Sequence, residues 1–295
     1  MNMKIHNYKV IVFAPDKWGQ LERFRYFYDT TYLLDQNAQK ALHGAVSHFY
    51  KARIFLHFAY QQAPKLSEDR DQLQKHGYTP AQRSHELAAL IEAMLQDLYS
   101  SVDCARQVVT FIYHNHRGVT ESTRKFFQAA AAGKVADTVP SEIRNGFAKA
   151  DWYNDFRSLR DALTHSDVGS CHLDETSGKV SYMHAGLRTD DKALVINDIF
   201  NHVESLVDQV NTFMGTVFQY LNQTLRDEET WQMCCVSNGR VYSRLVRPSE
   251  AVDFNSGRCE AFKWFEKGDN PDCPFMGTCE AYTRRNTGQG GSANG

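Results

Sequence analysis

Arg160 and His165 stand five residues apart, just ahead of Ser166-Asp167-Val168-Gly169, a run that ends a helix. A guanidinium is always charged and can grip two phosphate oxygens at once, while an imidazole exchanges a proton near neutral pH. Together they suit phosphodiester cleavage without a metal. The arginine offsets charge on the phosphorane, and the histidine moves a proton to or from a ribose or leaving oxygen. The residues before them supply the frame: Trp152, Phe156, Leu159 and Leu163 recur at steps of four, three and four, as on a helix with one buried face. Arg160 and His165 lie off that stripe. Positions five apart on a regular helix point about 140° from each other, so the pair converges where the helix unwinds at Ser166. The plain reading of the same residues is a solvated arginine and a cation favoured by a helix C-terminus.

Arg160-Asp161-x-x-x-His165, with a polar residue after the arginine, resembles the R-x(4)-H signature of HEPN domains. These are small helical bundles found in many prokaryotic toxin, abortive-infection and CRISPR-associated ribonucleases. The resemblance is a short motif set in an architecture that covers residues 35 to 225. It implies a metal-independent endoribonuclease in a defence or toxin role, with Arg160 and His165 catalytic and Asp161 orienting its neighbours. It further implies RNA as substrate, a homodimer whose two motif helices line one cleft, and products with a 2′,3′-cyclic phosphate and a 5′-hydroxyl. An antitoxin or regulatory protein is an implied partner. Some relatives carry a tyrosine two residues after the histidine for regulatory nucleotidylation. Asp167 stands there instead, which argues against that regulation, and its carboxylate joins the substrate-binding set as a group that can hold His165. The alternative is a non-catalytic HEPN-like module that binds a nucleotide or a protein.

His114, His116 and Arg117 end another helical stretch, and with Arg124 and Lys125 they form the best local basic patch. Their functional reading is phosphate contacts; their plain reading is cations near a helix C-terminus.

Five of the seven cysteines fall in the last quarter of the chain. In a cytosolic protein such clustering points to metal or redox chemistry rather than a disulfide framework. Cys235, Cys259, Cys273 and Cys279 are the expected ligands of a structural zinc, with Cys234 interchangeable with its neighbour because adjacent cysteines do not easily reach one ion. The spacing lacks paired C-x2-C knuckles, so an iron–sulfur cluster and buried unliganded thiols remain alternatives. No cofactor is expected for catalysis.

The elements that must carry these groups follow from periodicity. The chain has 295 residues, 42% hydrophobic and 23% charged, with a net charge of −2, which excludes a global nucleic-acid footprint and leaves only local basic surface. No apolar run suits a membrane span and the N-terminus lacks a signal-peptide core, so the expected location is cytoplasmic, with no membrane partner. Lys9–Phe13 reads as a strand. Helical stripes run over 37–62, with Arg53 on the stripe; over 79–113, launched by Thr79-Pro80; and over 195–221, capped by Asp190 or Asp191. Residues 64–78 read as a polar connector, and a break in the motif segment is expected near Gly146. Cys171–His184 reads as a hairpin turning at Ser177-Gly178, with His172 and His184 able to face one another and the N-terminal strand able to join it. The expected fold is mainly α: an antiparallel helical bundle with a small β-hairpin or sheet and a Cys-rich C-terminal module. Its divisions are an N-terminal strand and arm (1–34), the HEPN-like bundle (35–225) with the hairpin inserted at 170–186, the Cys-rich module (226–285) and a disordered tail (286–295).

Overall fold

The computed structural model describes residues 11–12, 19–164, 168–189, 192–237, 239–250, 252–268 and 270–285. The expected tail at 286–295 lies outside them. A two-residue strand, β1 (Ile11–Val12), and a short helix, α1 (Gln20–Phe27), precede the first long helix, α2 (Gln36–Gln62). Asp35 caps α2 by accepting the Ala38 N–H at 2.7 Å. The chain continues through α3 (Leu66–His76), α4 (Gln82–Tyr113), α5 (Thr123–Ala131), α6 (Ser141–Ala148) and α7 (Tyr153–Thr164). Strands β2 (Ser170–Leu173), β3 (Val180–Thr189) and β4 (Lys192–Ile196) lead to α8 (Ile199–Gln223). The C-terminal part holds β5 (Thr230–Ser237), β6 (Arg240–Val246), β7 (Arg258–Cys259), α9 (Phe262–Phe265) and α10 (Glu280–Thr283). The fold is mainly helical with two small antiparallel sheets, and it divides into two compact units, Leu34–Tyr220 and Met1–Leu33 with Leu221–Gly295. The sequence separates residues 1–34 from 226–285; the structure groups 1–33 with 221–295. Among the described residues, no helix is long and apolar enough to cross a membrane.

In the larger unit α2 packs along α4 through small residues. Ala41, Leu42, Ala45, Ala52 and Ala59 are buried, and a Cβ on Gly44 would come within 2.9 Å of Cys104 Sγ. Arg53 is exposed, so it is not a core charge. The α4 stripe behaves as its spacing predicts: Leu87, Ile91, Met94, Leu98, Val102 and Val109 are fully buried. Aromatic packing ties the shorter helices to α8. Phe127 stacks on Tyr153 with centroids 3.8 Å apart, and Phe147 meets Phe213 edge-on at 5.0 Å. Gly146 lets α6 approach α8, since a Cβ there would touch Val217 at 3.1 Å. The break expected at that glycine falls after it, between α6 and α7.

Several local expectations give way to tertiary structure. The polar connector folds as α3, whose Asp69 accepts the N–H groups of Arg83 and Ser84 at 3.2 and 2.8 Å and so caps α4 from another helix. Helix α4 therefore starts at Gln82, behind Ala81 in the left-handed region, rather than at Thr79-Pro80. Val195 belongs to β4, and Asp198 caps α8 through the Asn201 N–H, while Asp190 and Asp191 lie outside the described residues. The hairpin is one edge of a three-stranded sheet ordered β2-β3-β4. Its register sets His172 opposite Ser181 and His184 opposite Leu194, so the two histidines do not face each other. Strand β1 does not join this sheet; it pairs with β5 in the order β1-β5-β6-β7.

Candidate functional site

Helix α7 buries Tyr153, Phe156 and Leu163, and Arg157, Arg160 and Asp161 stand half-buried beside that face. Asp161 lies between two arginines: one carboxylate oxygen takes Arg157 at 2.7 Å and the other takes Arg160 at 3.0 Å. One negative charge serves two positive ones, so the cluster keeps a net positive charge. The Arg160 guanidinium also lies over the Tyr99 ring, 4.7 Å from its centroid. That ring is fixed from below by Tyr153, whose hydroxyl is 3.0 Å from that of Tyr99, and by Phe156 edge-on at 5.7 Å. With its side chain about one-third exposed, Arg160 is held on two sides and open on another. The Thr164 hydroxyl donates to the Arg160 carbonyl at 2.9 Å and closes the last turn. Such side chains keep one rotamer, which a phosphate ligand needs to bind without a large ordering cost.

His165 and Asp167 lie outside the described residues. The chain just beyond them is anchored: the Gly169 N–H donates to the buried Glu92 carboxylate at 2.7 Å, and the Cys171 N–H donates to the Ser84 hydroxyl at 2.9 Å. Glu92 also accepts the Tyr182 hydroxyl at 2.7 Å. Burial and that bond carry the Tyr182 hydroxyl far above its ordinary pKa, so it stays a donor. A Cβ at position 169 would come within 2.6 Å of the Tyr182 ring, which reserves the place for glycine.

The basic patch is not part of this site. Tyr99, beneath Arg160, and His114 lie fifteen residues apart on one helix and its cap, about 22 Å along the axis at 1.5 Å per residue. His114 Nδ1 sits 2.8 Å from the Phe111 carbonyl and His116 Nδ1 2.7 Å from the Thr138 hydroxyl, while Arg117 is exposed. A groove of about 890 Å³ beside α6 and α8 carries Glu142, Asp151, Glu204 and Asp208 against Lys149. Its charge repels a polyanion, so this groove is not where RNA would run.

Two polar clusters gave no sequence signal, because their members belong to different helices. His48 Nδ1 and Lys51 Nζ of α2 meet Asp97 of α4 at 2.6 and 3.0 Å. Buried Arg106 bonds Asp103 at 3.1 Å and Thr123 at 3.0 Å. Burial opposes the Asp103 charge, but the Thr123 hydroxyl and the Arg106 guanidinium together hold its carboxyl below the usual range.

In the smaller unit a cavity of about 30 Å³ is lined by Cys234, Cys235, Cys259, Cys273 and Cys279, with Arg244 and a ring of aromatic side chains. The four residues expected as metal ligands thus share one cavity, and Cys234 joins them. All are free thiols. Among the described residues, no three Cys, His, Asp or Glu side chains are gathered closely enough to hold an ion as they stand. Comparison with protein-family models, curated proteins and solved structures finds no match.

Proposed function

We propose that this protein is a metal-independent endoribonuclease of HEPN type, an antiparallel helical bundle acting as a homodimer in the cytoplasm. Arg160 binds and neutralises the scissile phosphate, Asp161 fixes the guanidinium, and His165, assigned from the motif alone, handles the proton. In this chemistry the ribose 2′-oxygen attacks phosphorus, the 5′-oxygen leaves with a proton, and the products are a 2′,3′-cyclic phosphate and a 5′-hydroxyl. The observation that carries the reading is the setting of Arg160: in the last turn of its helix, braced by Asp161 and the Tyr99 ring, and still open to an anion. His114, His116 and Arg117 are too far along α4 to touch the same phosphate, so any role they have is to hold flanking RNA.

A second reading, a non-catalytic module that binds a nucleotide or a protein, draws on the same cluster: Asp161 already pairs with both arginines, as in a satisfied surface network. The two are separated by incubating the full chain with unstructured single-stranded RNA in EDTA. The ribonuclease reading expects cyclic-phosphate ends, lost in Arg160→Ala and in His165→Ala while both variants stay folded. No cleavage by the wild type, or undiminished cleavage by both variants, would set the binding module in its place.

A further inference from the structure

We propose that the five-cysteine cavity is a tetrathiolate site for one thiophilic divalent cation of the zinc class, and that buried Arg244 balances its charge. Adjacent residues on a strand point to opposite faces, so Cys234 and Cys235 could not normally share a cavity. A register shift in the β5–β6 pairing falls between Met233 and Cys235, making Cys234 an extra residue with no partner across the ladder. Such a bulge turns both thiols to one side. Cys235 pairs with Tyr242, and Arg244 pairs with Cys259, so one face of the sheet carries two thiols and a guanidinium side by side. The turn holding Cys273 and Cys279 closes the cavity over them.

Arg244 is the independent sign of an anion. It is only 3% exposed, and among the described residues no carboxylate lies within ion-pair distance of it. Its Nη atoms donate to the Phe254, Ser256 and Asp253 carbonyls at 2.7–2.8 Å, and among the described residues its Nε has no hydrogen-bond partner. The Asp253 carboxylate acts on it only from beyond ion-pair distance, so this buried guanidinium, hydrogen-bonded to neutral carbonyls, has no direct counter-charge. A dication held by four thiolates carries a net double negative charge and supplies one. Backbone amides are also aimed at the sulfurs: Ala261 and Phe262 at Cys259, and Phe275 at Cys273. Such N–H groups stabilise thiolate ligands once formed. The four ligands are Cys259, Cys273, Cys279 and one of the vicinal pair. Cys235 is the better fourth, because it keeps its place in the ladder, opposite Tyr242 on the face that carries Arg244 and Cys259. Loading releases the thiol protons and draws the sulfurs inward from the cavity walls.

The test is metal analysis of the purified full chain, followed by exchange with cobalt alone. The site expects one zinc per chain. The cobalt form should show tetrahedral visible bands and a strong thiolate-to-metal charge-transfer band. Serine at Cys259, Cys273 or Cys279 should abolish stoichiometric loading, whereas Cys104→Ser and Cys171→Ser should not change it. Arg244→Met should weaken cobalt binding by about 10–100-fold, the usual effect of losing a group that supports ligands, with Arg244→Lys restoring part of it. The wild-type spectrum decides even if a variant fails to fold. Folded wild-type protein that carries no zinc and gives no charge-transfer band overturns the site, and so does iron with acid-labile sulfide.

Discussion

The Glu92 carboxylate holds the backbone N–H of Gly169 at 2.7 Å, tying the middle of α4 to the chain just past the motif. The same carboxylate takes the Tyr182 hydroxyl, so one buried acid fixes both the exit from α7 and the sheet that follows. Both donors share its Oε1, so Glu92→Leu leaves them without that acceptor. We expect a loss of at least about 1–3 kcal/mol, the cost of leaving one buried group unsatisfied. Urea unfolding with an unchanged m-value should record it, and hydrogen exchange at the Gly169 amide should quicken.

Tyr99 is the platform for Arg160, and its ring and hydroxyl have separable roles. If the chain cleaves RNA as proposed, Tyr99→Phe, which keeps the aromatic face, should leave cleavage nearly intact. Tyr99→Leu removes the face and should lower kcat/KM by about 2–30-fold, the equivalent of about 0.5–2 kcal/mol of cation–π contact. Equal rates for the two variants would show that the ring does not position the guanidinium.

The long helices were legible in the sequence because one residue type at one spacing decides them: the aliphatic stripe of α4 is buried from Leu87 to Val109. What was not legible depends on partners far along the chain. Helix α3 looked like a polar connector because it buries only Leu66 and Asp69, and Asp69 matters through amides of another helix. Strand β1 finds its partner more than two hundred residues away, so no local pattern names it. At the candidate site Arg160 and Asp161 could be picked out by motif, but their support from Tyr99 could not, because Tyr99 belongs to α4. The sequence leaves Cys234 interchangeable with Cys235, and the bulge that brings both thiols to one cavity has no local signature.

Asp69 is the N-terminal cap of α4, supplied in trans by α3. Asp69→Ala leaves the Arg83 and Ser84 amides without that acceptor and removes a negative charge from the positive end of a long helix. A loss of about 1–2 kcal/mol is expected in chemical denaturation. Asp69→Asn should recover part of it, since an amide oxygen still accepts.

His202 gives the fold a pH dependence. Burial lowers its pKa below the ordinary value, and among the described residues its Nε2 is buried without a hydrogen-bond partner. The unfolded chain therefore binds the proton more readily than the folded one. The stability is complete above the unfolded histidine's pKa, about 6.5, and declines as pH falls through it. Thermal midpoints should drop between pH 7.5 and 5.5, and His202→Leu should flatten that slope. An identical slope in the variant would place the titration elsewhere.

The bulge at Cys234 also bears on how the length of this strand can change. Gln232 is buried, Met233 exposed and Cys235 buried, so the inside–outside alternation resumes as though residue 234 were not counted. A chain lacking that one residue could keep every other side chain of β5 on its present face. Position 234 is therefore where the strand can gain or lose a residue without turning inside out, and where a spare sulfur can be carried at little cost to the ladder.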